Sequence, residues 1–166
     1  MAYTPSTPEL GLQPIAASST TQNHPLGYQI AAYDPTYGSG SFIYLEGVAN
    51  TLVGSLVTYD QDNKTTTLAP STAHLGQPLA VAMAANVALG FGWYQVGGAA
   101  VIKKTAVKVN PGVQLFLSGT AGRVMPTVAT GKEVLNVISV NAATVASATS
   151  TIIANLQFPF AQGQII

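Results

Sequence analysis

Leu79 to Ile102 reads LAVAMAANVALGFGWYQVGGAAVI, and its reading decides the fold class. It carries no charge, and it holds the only tryptophan, Trp93. Leu79, Val81 and Met83 alternate with Ala80, Ala82 and Ala84, one side large and the other small. A period of two is the signature of a strand. Gly92 to Gly97 predicts a second strand, with Trp93 and Gln95 on one side and Tyr94 and Val96 on the other. The Gly97-Gly98 pair predicts a kink or bulge before Ala99 to Ile102 runs on, because glycine inside a strand marks such sites. Asn86 to Leu89 reads as a single helical turn between the two strands.

Working outward, strand-like runs recur at intervals of about ten residues, separated by turn chemistry. Leu26 to Tyr33 and Phe42 to Val48 flank a loop at Asp34-Pro35-Thr36-Tyr37-Gly38-Ser39-Gly40, where proline presets φ and glycine supplies φ > 0. Leu52 to Tyr59 and Lys64 to Leu68 flank Asp60-Gln61-Asp62-Asn63, a hairpin with an Asx-rich turn. A calcium loop would need a glycine and a closing glutamate that this turn lacks. Thr105 to Val109, Val113 to Leu117, Arg123 to Val128, Val134 to Val140 and Thr151 to Phe158 complete the strands; Pro126 marks the third of these as an edge or bulged strand. Asn141 to Ser150, rich in Ala, Ser and Thr, reads as loop or strand rather than helix. The expectation is an all-β domain, a small β-barrel or sandwich, over residues 26–166.

Residues 1–25 read differently. Pro5, Pro8, Pro14 and Pro25 block regular helix and central strand, and Ser18-Ser19-Thr20-Thr21 is polar filler. Leu10, Leu12 and Ile15 are nevertheless apolar. The segment is expected to be an extended Pro-rich N-terminal arm, either a loose tail or an arm that docks on a neighbouring subunit. MAYTPSTPEL has neither a basic n-region nor an apolar h-region and does not read as a signal peptide.

Composition narrows the function classes. Charged residues make up 7% of the chain and the formal net charge is zero; typical soluble proteins carry roughly 25% charged residues. Such a surface desolvates at little cost, which suits contact with other protein. Six Lys and Arg, with only Lys103-Lys104 adjacent, do not make a phosphate-binding patch, so nucleic acid is not expected as a direct partner. Pro78, Gln77, Asn86 and Gln95 interrupt the uncharged run from Thr65 to Ile102, so no membrane span is expected. With no cysteine there are no disulfides or thiolate metal sites.

No catalytic constellation stands out. His24 and His74 lie in loops without a carboxylate nearby in sequence, and the carboxylates Glu9, Asp34, Glu46, Asp60, Asp62 and Glu133 are scattered apart from the Asp60/Asp62 turn. Nucleophile-elbow, P-loop, zincin and dinucleotide-binding patterns are missing. No cofactor, metal or catalytic residue is assigned, and the chain is not expected to be an enzyme; a small hydrolase built from distant carboxylates is the minor alternative. Tyr28, Tyr33, Tyr37, Tyr44, Tyr59 and Tyr94, with Trp93, form either core and rim or a stacking platform. Tyr44 and Trp93 read as core, and Tyr33 and Tyr37 as contact residues.

Tyr33-Asp34-Pro35-Thr36-Tyr37-Gly38, followed by Gly40-Ser41-Phe42-Ile43-Tyr44-Leu45-Glu46-Gly47-Val48-Ala49, resembles a segment of small capsid-associated proteins of tailed bacteriophages. Val57-Thr58-Tyr59-Asp60 and Gly92-Trp93-Tyr94-Gln95-Val96-Gly97-Gly98-Ala99-Ala100-Val101 continue the likeness in the same order, over roughly residues 26–102. The resemblance is to head decoration, or cement, proteins. It implies a small β-barrel on the outer face of the capsid in the virion, made in the host cytoplasm, with no active site. Its implied partners are the major capsid protein and other copies of the same chain, as dimer or trimer. Leu10, Leu12, Ile15, Tyr33 and Tyr37 are the expected contact residues. The alternative is a phage tail, fibre or receptor-binding module that recognises carbohydrate through aromatic loops.

Overall fold

The computed structural model describes residues 1–7, 11–62 and 64–164. Among them the chain is all-β, with no helix. The strands are β1 (Thr4–Pro5), β2 (Ser18–Ser19), β3 (Gln29–Asp34), β4 (Gly38–Glu46), β5 (Leu56–Tyr59), β6 (Thr66–Leu68), β7 (Leu79–Ala82), β8 (Phe91–Lys103), β9 (Gln114–Leu117), β10 (Val124–Met125), β11 (Glu133–Ser139) and β12 (Thr151–Ala161). Every ladder between them is antiparallel. The sheet is open, running β1-β3-β4-β8-β12-β11-β9-β10, with β2, β5, β6 and β7 branching from it. An open sheet folded over layered cores is the sandwich form of the expected all-β class.

β8 is the strand on which the rest assembles. Its first half, Phe91 to Gly97, pairs with β4, and its second half, Gly97 to Lys103, pairs with β12. The partner change falls on the glycine pair. Successive β4 residues Ser41 and Phe42 pair with Gly97 and Gln95, which leaves Val96 as the extra residue of a bulge. Gly98 then takes φ +86, and a Cβ there would lie 2.2 Å from the Ser39 carbonyl oxygen. Only glycine allows both the left-handed backbone and that approach.

The large/small alternation of β7 has its cause in the layers on either side. Leu79 and Val81 enter the largest core cluster, with Leu56, Ile102, Leu115, Leu117 and Ile152. Ala80 and Ala82 enter a second cluster, beneath Tyr94, Leu45 and Val57. The strand is thus buried on both faces, and its alanines leave room for the tyrosine ring. Trp93 and Tyr94 fall in different clusters, as their alternation requires.

Several stretches depart from the sequence reading. Asn86 to Leu89 forms no helical turn: Asn86 is in a bridge to Thr51, and Val87 to Gly90 is a turn closed by Gly90 N donating to Val87 O (3.1 Å). Thr105 to Val109 forms no strand; Val109 makes an isolated bridge to Val145. Leu26 to Tyr28 lies outside β3, which starts at Gln29. Pro126 follows β10, which is the terminal strand of the sheet path, so the edge expected from that proline is present.

The extended arm is not shown. Described residues of 1–25 fold back on their own chain. β1 pairs with β3, and β2 pairs with the start of β8. Tyr3 and Ile15 are core residues beside Phe42, Tyr44, Met83 and Trp93. The physical reason lies in the face they cover: without them β4 and β8 would present Phe42, Tyr44 and Trp93 to water. Leu10 lies outside the described residues.

Candidate functional site

The N-terminal segment is fixed to the sheet by a polar network centred on Gln13. Its carbonyl accepts from Trp93 Nε1 (2.9 Å), and its Oε1 accepts from Tyr44 Oη (2.9 Å) and Asn23 Nδ2 (2.9 Å). Its Nε2 donates to Ala17 O (2.8 Å), and its backbone N–H donates to His24 Nε2 (3.0 Å). That last bond assigns the neutral His24 tautomer with its proton on Nδ1. The His24 ring sits 5.1 Å from Tyr44 and 5.5 Å from Trp93, centroid to centroid. His24 is therefore a positioning residue of the N-terminal segment. His74, in contrast, is exposed, with Nδ1 3.1 Å from Gly163 O.

Between Met1–Pro5 and Leu12–Ala16 runs a groove of about 470 Å³. Leu12 and Ile15, two of the contact residues expected from sequence, line it. Ile15 is buried in the chain's own core, and Leu12 is half-buried against the same cluster. Tyr37 also packs partly on that cluster, whereas Tyr33, on β3, is 54% exposed. The expected residues thus divide between the protein's own packing and open surface.

Asp34 closes the β3–β4 hairpin beside the groove. Burial pulls its carboxyl upward, but N–H donors from Thr36 (2.8 Å), Ala2 (2.5 Å) and Tyr37 (3.1 Å), with the nearby N-terminal charge, hold it below the usual range. The carboxylate so joins the hairpin turn to the start of the chain.

A second feature has no local signal in the sequence. Asn86 is buried in a cradle of glycines: a Cβ on Gly47 would lie 2.1 Å, and one on Gly90 2.4 Å, from its carboxamide. Its Nδ2 donates to Tyr94 Oη (3.1 Å), and Thr51 and Asn86 form an antiparallel bridge. This joins two loops at one end of the molecule. Their apolar side chains point to solvent: Leu52, Val53, Val87 and, at 73% exposure, Leu89. Leu89 holds φ 59, a conformation costing about 1–2 kcal/mol for a side-chain-bearing residue. Leu89 is thus a strained, exposed apolar residue on a braced loop.

Lys104 is fully buried, without a carboxylate partner among the described residues. Its Nζ donates to the carbonyls of Val107 (2.8 Å), Thr105 (3.2 Å) and Ser147 (3.4 Å), and burial lowers its pKa. It ties together two loops whose only pairing with each other is the isolated Val109–Val145 bridge among the described residues. Burial raises the pKa of Tyr3, Tyr44, Tyr59 and Tyr94 above 10.0. A raised folded-state pKa means the native chain binds more protons than the unfolded one above pH 10, so stability falls as pH rises from there. Lys104 acts oppositely, its penalty fading as pH approaches its unfolded value. With four tyrosines against one lysine, the thermal midpoint is expected to drop above pH 10, with the tyrosinate absorbance of these four appearing together with unfolding. Tyr94→Phe should flatten that slope; ionisation of all four well before loss of near-ultraviolet dichroism would contradict it.

Among the described residues no group of three or more His, Cys, Asp and Glu could hold a metal ion. No helix among them is long and apolar enough to cross a membrane. No protein-family model matches the chain, and no curated protein matches it.

Proposed function

We propose that this chain is a structural virion protein that binds the outer surface of a phage capsid and cements major capsid protein subunits. It acts by binding rather than turnover, with the major capsid protein and further copies of itself as partners. The observation that carries the binding role is the paired-loop tip, where Leu52, Val53, Val87 and Leu89 stand exposed on a chain with only 7% charged residues. The phage-head setting comes from the sequence resemblance around β3, β4 and β8. Apolar contact contributes about 25 cal/mol per Å² buried. Copies repeated over a shell would add avidity to a modest individual contact.

The test mixes purified protein with bare capsids of the parent phage and reads occupancy by electron cryomicroscopy. A Val87→Asp, Leu89→Asn variant keeps the loop backbone, since asparagine tolerates positive φ. It is expected to retain the wild-type melting temperature and to lose occupancy about tenfold, the equivalent of about 1.4 kcal/mol. Undiminished occupancy of the variant, or no binding of the wild-type chain to any capsid, overturns the proposal.

A further inference from the structure

On the sheet surface formed by β9, β11 and β12, a depression of about 200 Å³ is lined by Gln114, Asn136, Val137, Ile138, Asn155 and Gln157. The lining holds four carboxamides and no charge. Ile138 pairs with Gln114 on one side and Asn155 on the other, so these three form one row across adjacent strands. Asn136 and Gln157 belong to the next row, where the β11–β12 ladder breaks register. Leu135 pairs with Phe160 and Val137 with Leu156, so Asn136 faces three residues, Gln157 to Pro159. At that break two non-glycine residues hold left-handed backbone, Asn136 (φ 61) and Phe158 (φ 51). Phe158, next to Gln157, is 60% exposed. A bulky residue at positive φ is an outlier that persists only where surrounding structure enforces it, and such outliers gather at ligand sites.

We infer that this depression is a binding site for a neutral saccharide, with the carboxamides of Asn136, Asn155 and Gln157 bonding ring hydroxyls and Phe158 stacking on a sugar face. A carboxamide offers both donor and acceptor, as a hydroxyl does, so the two match in either sense. The absence of charge in the lining disfavours phosphate, sulfate and carboxylate ligands. Gln114 Nε2 donates to Val134 O (2.6 Å), which orients that amide as the wall. Asn155 is paired on both sides, with Ala99 of β8 and Ile138 of β11, so an added peptide strand has no open edge to join there. Drug-sized pockets run to ~300–1,000 Å³; this smaller one suits a single pyranose ring. The assignment is independent of capsid binding, whose apolar loops involve other residues.

The test records heteronuclear NMR spectra of the full chain, including side-chain amides. Neutral hexaoses of α- and β-linked glucose, xylose, mannose and N-acetylglucosamine are titrated to ~10 mM, a range that captures single-ring affinities. At least one is expected to shift the amide signals of Asn136, Asn155 and Gln157 saturably. Asn136→Gly and Phe158→Gly each remove the side chain while glycine keeps the positive φ, so both should fold. Each is expected to weaken binding about tenfold, as loss of a hydrogen-bonded or stacked contact does. No shift of these amides by any of the saccharides, or binding unchanged in both variants, overturns the inference.

Discussion

A chain lacking residues 1–25 is expected to lose cooperative folding. The segment contributes buried Tyr3 and Ile15 and half-buried Leu12 to the cluster around Trp93, and its Gln13 receives hydrogen bonds from Trp93 and Tyr44. Each fully buried side chain of this kind stabilises by about 1.5–3 kcal/mol. The loss of about 5 kcal/mol or more is comparable to the whole stability of a small domain, about 5–15 kcal/mol. Truncation also uncovers Phe42, Tyr44 and Trp93 on the β4–β8 face, inviting aggregation. Trp93 emission should shift to the red and the near-ultraviolet dichroism should collapse. A truncated chain with wild-type melting temperature and unshifted emission would show that the segment only rests on the sheet. The same result shapes how capsid binding is tested: if truncation unfolds the chain, lost retention says nothing specific about the arm, and the loop-tip variant is the informative one.

Gly98→Ala is the single substitution expected to do most damage. Its Cβ would lie 2.2 Å from the Ser39 carbonyl oxygen, a backbone atom that no side-chain rotation can clear. The residue would also sit at φ +86, in the left-handed region. Strain of that kind costs about 1–3 kcal/mol by itself. With the clash added, a loss of roughly 4 kcal/mol or more is expected, at the exceptional end for one substitution. The strand would have to shift where β8 passes from β4 to β12. Gly112→Ala, at φ +70 with nothing within 4 Å of its added Cβ, isolates the backbone term and should cost only about 1–2 kcal/mol. Urea unfolding of the two variants beside the wild type measures both; equal losses would mean that the carbonyl contact at Gly98 is accommodated at no cost.

Much of the candidate site had no local signal. Gln13 is one polar residue in a proline-rich segment, and nothing beside it marks the indole and phenol that converge on it. Asn86 lies in a stretch read as a helical turn, and its glycine cradle is drawn from Gly47 as well as Gly90. The carboxamides of the β9–β11–β12 depression come from three strands, and become neighbours only through register. In sequence Asn136 and Phe158 are ordinary strand positions, because positive φ at a non-glycine residue is imposed by pairing rather than by residue type.

The order of residues alone determined the all-β class, most of the strands and the break at Gly97-Gly98. Alternation, turn chemistry and the lack of a side chain act within a few residues, so they are written locally. The fate of residues 1–25 was decided by tertiary structure. Proline spacing rules out helix, but it does not say which surface Ile15 and Tyr3 will cover. The answer depends on an apolar face assembled from β4 and β8, and on an open β3 edge that β1 could join. Both lie within reach of the same chain, so the segment closes on its own sheet.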